Sequence, residues 1–242
     1  TYIDQPDDQY RSVAPPTGAS YRCRGREGVG MSGNCRSLRH LYPRMMNEIE
    51  VFAWCRERLH VLCPGLTSEL IDELSLGWRV VRLDKREHLA EAGRIHKEAF
   101  LVAQGLVRAY YPDVEGDVTV NFIAEGDFAT HYTSLEAPRP SHFAFQALEP
   151  TVAIAFSYEY VYQLSQRRCE MERLLRVLLE HEYTRLMAHT ECLLMRKAEE
   201  RYRHFLQNFG PLLSRISVSD LSSYLGVSRQ NLTLIRKRLL DE

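Results

Sequence analysis

The spacing of apolar residues changes from helical to strand-like and back to helical along the chain. Residues 45–63 and 68–76 have the three- and four-residue spacing of short amphipathic helices. From Trp78 to Tyr158 the period is two, in short segments separated by glycines at intervals of roughly ten residues. Many short strands at this spacing predict an antiparallel sandwich or barrel, and the flanking helices make the predicted fold α+β.

Beyond Tyr158 the pattern predicts a long helix, which we place at residues 166–195. Its apolar stretch covers about seven turns and would be about 38 Å long at 1.5 Å per residue. A stripe on this helix consists of Met171, Leu175, Leu178, Leu179, Leu186, Met187, Leu193 and Leu194. One small barrel cannot cover a stripe of this length, so we expect it to pair with the same stripe of a second copy. Packing of the whole helix within one chain is the alternative.

The last stretch, Ser217–Leu239, predicts two short helices that meet at a glycine. Ser217 and Asp220 form a capping-box pattern, and Leu221 and Leu225 follow on one face. Gly226 is the residue type that leaves a helix through a left-handed conformation. Ser228 then caps a second helix whose Leu232, Ile235 and Leu239 repeat at helical spacing, so a helix-turn-helix is predicted. A helical hairpin with a solvated polar face is the alternative.

The other face of the second helix has the residue types that contact DNA. Arg229, Gln230 and Asn231 come first and are expected to contact base edges, with Ser228 as the cap. Thr233 and Lys237 are expected to contact phosphates. Arg236 lies where the helix would leave the groove, near phosphate or solvent.

The charge distribution agrees with this prediction. Nine Arg/Lys and five Asp/Glu give Arg196–Glu242 a charge of +4, and the residues before it carry −5, because the whole chain carries −1. A basic terminal segment on an acidic body is typical of a module that binds the phosphate backbone. Residues 1–44 are rich in proline and arginine and have little apolar periodicity, so we expect a disordered basic tail.

Other classes of protein find little support. No apolar run approaches the roughly 20 residues of a membrane span, which predicts a cytoplasmic location and no membrane partner. The six cysteines have no Cys-x-x-Cys pair, so no metal site and no cofactor are expected. The chain has no GxSxG, HExxH or Walker motif, and we do not expect an enzyme.

Taken in order, a β-roll, a long helix and a C-terminal helix-turn-helix resemble the Crp/Fnr family of bacterial transcription regulators. The resemblance rests on LAEAGRIHKEAFLVAQGLVRAYY (89–111), EGDF (125–128) and SRQNLTLIRKRL (228–239). It implies a jelly-roll-like β-roll of the cyclic-nucleotide-binding type at 45–165, a dimerisation helix at 166–195 and a helix-turn-helix domain at 196–242. It also implies double-stranded DNA, a second copy and RNA polymerase as partners, and leaves a small-molecule effector of unknown identity open.

The resemblance also identifies departures from the family pattern. Family members that bind cyclic AMP use a Gly-Glu pair and an Arg-Ser or Arg-Thr pair after the GDF turn. The corresponding positions hold Thr130 and His131, and then Ser141 and His142, so ordinary cyclic-nucleotide binding is not expected in this effector pocket. Leu234 stands where relatives often have an arginine, which implies an apolar contact to a thymine methyl.

Two functions remain after this comparison. The first is a homodimeric DNA-binding regulator. The second is an effector- or protein-binding β-roll whose terminal helices pack without sequence-specific DNA binding.

Overall fold

The computed structural model describes residues 44–131 and 139–240, and residues 45–242 belong to one compact unit. The tail predicted at residues 1–44 lies outside the described residues, apart from Arg44. No helix in the described ranges is long and apolar enough to cross a bilayer.

In the described ranges, the strands form two four-stranded antiparallel sheets. Their bounds are β1 Trp78–Leu83, β2 His88–Ala90, β3 Glu98–Gln104, β4 Val107–Tyr111, β5 Val118–Ile123, β6 Phe128–Ala129, β7 Ala144–Ala147 and β8 Thr151–Ser157. The first sheet has the order β1-β8-β3-β6 and the second β2-β7-β4-β5. These sheets confirm the predicted antiparallel β-roll and the α+β class. β5 is an edge strand of the second sheet, a position that matters for the C-terminal helices.

Strand alternation divides the core of the roll into two layers. On β3, Phe100 and Val102 point between the two sheets, while Leu101 and Ala103 point to the other face. The same alternation on β8 places its alanines between the sheets and its larger residues outside. Successive side chains of a strand lie on opposite faces, so both layers are apolar because both faces of these strands are covered.

Two N-terminal helices cover the outer face of the first sheet. Helix α1, Glu48–Leu62, begins at Asn47 with a reciprocal capping box to Glu50, and α2 is Ser68–Ser75, capped by Thr67. Their buried residues share one apolar cluster with β1, β3 and β8. Both helices lie where the sequence predicted them.

A short helix precedes the long helix. Helix α3 is Tyr158–Ser165 and helix α4 is Cys169–Met195, with a break at Gln166–Arg168. The long helix predicted at residues 166–195 is thus present as α4, whereas α3 was not predicted as a separate helix. The apolar spacing continues across the break, because both α3 and the start of α4 pack on the same cluster, so periodicity alone could not locate it.

The stripe on α4 has two different environments. Met171 is buried within the chain, and Leu175 and Leu178 pack against the same core, so this part of the predicted dimer stripe is satisfied internally. Further along, Leu179, Tyr183, Leu186, Met187 and Leu194 are exposed. Only the second part of the helix has an apolar face without cover in one chain.

The C-terminal part contains three α-helices. Helix α5 is Ala198–Phe209, a short 3₁₀ segment follows at Gly210–Leu212, and α6 and α7 are Val218–Tyr224 and Arg229–Leu240. Their buried residues form a cluster with Leu106 and Phe122 of the roll. The C-terminal helices therefore share a core with the second sheet.

Gly105, between β3 and β4, provides a stability test of the roll. Its φ is +103°, and an added Cβ would lie 2.8 Å from the Pro150 carbonyl oxygen. We predict that Gly105→Ala lowers the free energy of unfolding by about 3 kcal/mol, because left-handed backbone strain adds to the steric overlap of the new Cβ.

Gly93→Ala is the control, because Gly93 also has positive φ but an added Cβ would meet no atom within 4 Å. Its expected cost is about 1 kcal/mol in chemical denaturation. Equal costs would contradict this interpretation.

Candidate nucleic-acid interface

The local geometry of α6 and α7 is that of a helix-turn-helix. The Ser217 hydroxyl accepts a hydrogen bond from the Asp220 amide at 3.0 Å and caps α6. Gly226 has φ +62° in the turn, and the Ser228 hydroxyl accepts from the Asn231 amide at 3.2 Å to cap α7. The predicted caps and turn glycine are confirmed. Small, buried Ser222 also lies at the turn, where its carbonyl accepts from the Val227 amide.

The Asp220 carboxylate does not make the contact that the predicted capping box requires. The Asp220 carboxylate accepts a hydrogen bond from the Ser217 hydroxyl at 2.6 Å, and its other oxygen pairs with Arg108 of β4. A reciprocal box would need this carboxylate at the Ser217 amide. The ion pair with a buried arginine takes its place, which a local sequence pattern could not indicate.

Helix α7 has one buried and one exposed face. Leu232 and Ile235 are buried, and Leu239 packs against the same cluster. Seven of the eight residues predicted to contact DNA are exposed: Ser228, Arg229, Gln230, Asn231, Thr233, Leu234 and Lys237. The exception is Arg236. Arg236 is half-buried, with its guanidinium carbon 5.7 Å from the centre of the Tyr202 ring. Arg236 therefore packs over a ring of α5.

The exposed face is mixed in chemistry. Leu234 is 55% exposed and adds an apolar side chain to this face. The Thr233 hydroxyl donates to the Arg229 carbonyl at 2.9 Å. The capped N-terminus of α7 presents Arg229 and Gln230 beside backbone amides, which favours anionic partners.

A buried arginine joins this module to the roll. Arg108 is 9% exposed and donates to Asp220 at 2.7 Å, to Asp117 at 2.5 Å and to the Gln146 side chain at 3.2 Å. Its guanidinium carbon also lies 4.0 Å from the centre of the Tyr110 ring. The charge of Arg108 is thus matched by one carboxylate from the roll and one from α6, as burial of a cation requires.

Helix α6 also covers the edge of the second sheet. The Ser223 hydroxyl accepts from the Thr119 amide at 2.9 Å and donates to the Asp117 carbonyl at 2.8 Å. An edge strand leaves such backbone groups without partners, and a helix laid along it is one way to satisfy them. The Ser223 side chain therefore provides hydrogen-bond partners that a neighbouring strand would otherwise provide.

Arg215 forms a second link to the roll. Its guanidinium donates to Glu125 at 2.7 Å and to Glu149 at 2.5 Å. Burial alone would raise the pKa of the Glu125 carboxyl, but hydrogen bonds from Arg215 hold that pKa below its usual value. Glu125 also accepts from the Gly105 amide, so the EGDF turn, the β3–β4 turn and the C-terminal module meet at one carboxylate.

The four residues of the predicted effector pocket lie in different environments. The Ser141 side chain is turned inward, with its hydroxyl donating to the Phe143 carbonyl and accepting from the Phe143 amide. His142 is exposed, and Thr130 is half-buried. The His131 ring centre lies 4.7 Å from that of Phe143 and 5.4 Å from that of buried His96, and burial lowers the pKa of His131.

Arg94 lies beside Ser141 through the backbone, because its carbonyl accepts a hydrogen bond from the Ser141 amide at 2.8 Å. The side chains of Arg94 and Arg139 are both exposed. Within residues 44–131 and 139–240, no group of three His, Cys, Asp or Glu side chains is arranged to hold a metal ion. Cys23 and Cys35 lie outside the described residues, whereas Cys55 and Cys63 are buried thiols.

Comparison with known proteins agrees with this architecture. Residues 80–168 match the family model of the cyclic nucleotide-binding domain. The structure of FixK2 from Bradyrhizobium japonicum is 21% identical in sequence and superposes with a TM-score of 0.60. The match covers 68% of this chain and 85% of FixK2. The c-di-GMP responsive global regulator CLP from Xanthomonas campestris is 17% identical, with a TM-score of 0.59, covering 72% and 92%.

A candidate Crp/Fnr-family transcriptional regulator from Eubacterium rectale is 14% identical, with a TM-score of 0.61, covering 74% of this chain and 86% of its own. The chain has the Crp/Fnr fold. The resemblance drawn from the motifs is thereby confirmed for the roll, the long helix and the C-terminal helices. No curated protein matches the chain by sequence alone.

Within the Crp/Fnr fold, sequence reasoning missed the residues that join the two parts. Arg108 sits in an apolar strand, and Asp117 and Ser223 look like ordinary turn and helix residues. The available signal was a charged residue at a buried strand position, which requires a partner. Its partner is 112 residues away in sequence, so spacing could not identify it.

We predict that Arg108→Ala lowers the free energy of unfolding by about 3 kcal/mol, because it leaves two carboxylates without their cation. Arg79→Ala is the matched control, since its pair with Glu98 is solvent-exposed. Its expected cost is below about 1 kcal/mol. Urea denaturation followed by circular dichroism measures both. Equal effects of the two substitutions would show that the Arg108 ion pairs do not stabilise the fold.

Proposed function

We propose that this chain is a homodimeric, sequence-specific DNA-binding transcription regulator of the Crp/Fnr type that does not respond to cyclic AMP. The observation that carries the proposal is the exposed polar face at the capped N-terminus of α7. Buried Leu232 and Ile235 hold the opposite face, so Arg229, Gln230 and Asn231 are presented on a rigid helix. The fold, shared with known regulators, supports this function over an enzymatic one.

The roles of the side chains follow from their positions on α7. Arg229 can donate two hydrogen bonds to a guanine, and Gln230 or Asn231 can pair with an adenine. Leu234 suits a thymine methyl, and Thr233 and Lys237 suit phosphates. Arg236 packs on Tyr202, so we assign it to holding the helix rather than to DNA.

The dimer is supported by the exposed stripe of α4. Leu179, Tyr183 and Leu186 are 51%, 61% and 62% exposed and follow one another at four- and three-residue spacing. Such a seam on a 27-residue helix fits a parallel pairing with a second copy. A two-fold axis along α4 would then place two recognition helices about one helical turn of DNA apart.

A second function has one observation in its favour. The C-terminal module is attached to the roll through Ser223 and Asp220 of α6 and through Arg215 before it, as expected if the terminal helices serve only to complete the roll. The protein would then be an effector- or protein-binding module. Duplex affinity that falls steeply with salt favours the regulator, whereas weak and salt-independent binding favours the module.

The DNA prediction concerns Arg229 and Lys237. In selection from a random duplex pool, the wild type should enrich a motif, and Arg229→Ala should relax it at one base pair with a cost of about 1–3 kcal/mol. Lys237→Ala should keep the motif and weaken all sequences alike. A motif that survives simultaneous alanine substitution of Arg229, Gln230 and Asn231 would mean that α7 contacts no bases.

The dimer prediction concerns two exposed leucines. Leu179→Glu together with Leu186→Glu should give monomers in sedimentation at micromolar concentration, because four carboxylates would face each other across the two-fold axis. Leu178 is unsuitable for this test because it packs on the core of its own roll. Ala188→Glu is the control, at an exposed position on the opposite side of α4. A monomeric wild type would contradict the dimer.

The effector prediction is that neither cyclic AMP nor cyclic GMP binds tightly. A buried phosphate needs a charge-assisted partner, and the pocket presents Ser141, which is satisfied by Phe143, and the His131 ring, whose lowered pKa favours its neutral form. Titration calorimetry should detect no binding at micromolar concentration. Micromolar affinity for either nucleotide would overturn this part of the proposal.

A further inference from the structure

The turn between α6 and α7 is held by side chains from α4 and α5. The His189 Nε2 atom of α4 lies 3.2 Å from the Tyr224 carbonyl oxygen, and the two rings stack with centres 4.1 Å apart and planes 6° from parallel. Tyr224 is the last residue of α6. The long helix therefore contacts the turn through both the ring and the backbone of one residue.

Arg201 of α5 donates a hydrogen bond to the carbonyl of the next residue, Leu225. Its Nη1 atom donates to the Leu225 carbonyl and its Nε atom donates to the Arg196 carbonyl, both at 2.9 Å. Leu225 and Arg196 are the C-cap residues of α6 and α4. One guanidinium thus joins the ends of the long helix and of the first helix of the helix-turn-helix.

These contacts suit a rigid connection. The last carbonyls of a helix have no partner within that helix, and a cation at this end is favoured by the helix dipole. A guanidinium is planar and donates in fixed directions, so two acceptors on it are held at a set separation. Gly226 belongs to the same arrangement, since an added Cβ would lie 3.2 Å from Arg201 Nη1.

We propose that Arg201 and His189 are positioning residues that fix the recognition helix α7 relative to α4. In a dimer paired through α4, this connection sets the separation of the two recognition helices and therefore the preferred spacing of two DNA half-sites. The inference rests on the proposed function. It assigns to these residues the choice of spacing, while Arg229, Gln230 and Asn231 choose the bases.

The experiment measures binding of the full chain to duplexes that carry two copies of the enriched half-site at centre-to-centre spacings varied in single base pairs. Three variants are compared with the wild type: Arg201→Ala, Arg201→Lys and His189→Phe. Lysine keeps the charge but cannot donate to two carbonyls in the same fixed geometry, and phenylalanine keeps the stacking but not the donor. Arg203→Ala is the control, because Arg203 lies on the same helix and its guanidinium pairs with Glu199 four residues earlier rather than with the C-cap carbonyls.

The wild type and Arg203→Ala should prefer one spacing. The discrimination between the best spacing and its neighbours should fall about tenfold in Arg201→Ala and Arg201→Lys, and less in His189→Phe, with the base motif within each half-site unchanged. A merely destabilised protein would instead weaken binding at all spacings equally, and thermal melting identifies that case.

Retention of the wild-type spacing preference by both Arg201 variants would overturn the inference and leave the proposed function intact. A wild type that enriches no duplex would contradict the proposed function itself, and the inference with it. The two failures are therefore distinguishable in one set of measurements.

Discussion

The buried guanidinium of Arg108 is the contact on which the arrangement of the two parts depends. It comes from an apolar strand of the roll and donates to Asp117 of the roll and to Asp220 of α6. Because a buried guanidinium needs partners for its several N–H groups, the carboxylate from α6 favours a C-terminal module docked at the edge of the roll. Ser223 then satisfies the edge strand β5, and Leu106 and Phe122 complete the apolar cluster below.

Local features of the fold could be predicted from the sequence, and distant pairings could not. The caps at Ser217 and Ser228, the turn at Gly226 and the strand alternation depend on neighbouring residues, so spacing reveals them. The break at Gln166–Arg168 and the division of the α4 stripe depend on what each turn packs against. Arg236 illustrates the same limit, because only the structure shows that Tyr202 lies beneath its guanidinium.

The roll and the helix-turn-helix differ in how far their chemistry can be interpreted. At α7, backbone geometry and exposed side chains together support our proposal of a DNA partner. In the roll, the family match describes a cyclic nucleotide-binding domain, while Ser141 is occupied by its own neighbour and His131 lies among aromatic rings. Our proposal that cyclic nucleotides do not bind tightly rests on these two environments, because a buried phosphate requires a charge-assisted partner.

Hydroxyl-radical footprinting of the wild-type protein on a duplex enriched from a random pool tests the central claim most directly. A dimer with one recognition helix in each of two successive major grooves should protect two patches centred about one helical turn, roughly 34 Å, apart. The protection should be symmetric about the midpoint of the site. A single patch, or protection with no fixed position on the duplex, would contradict a dimer that reads DNA through α7.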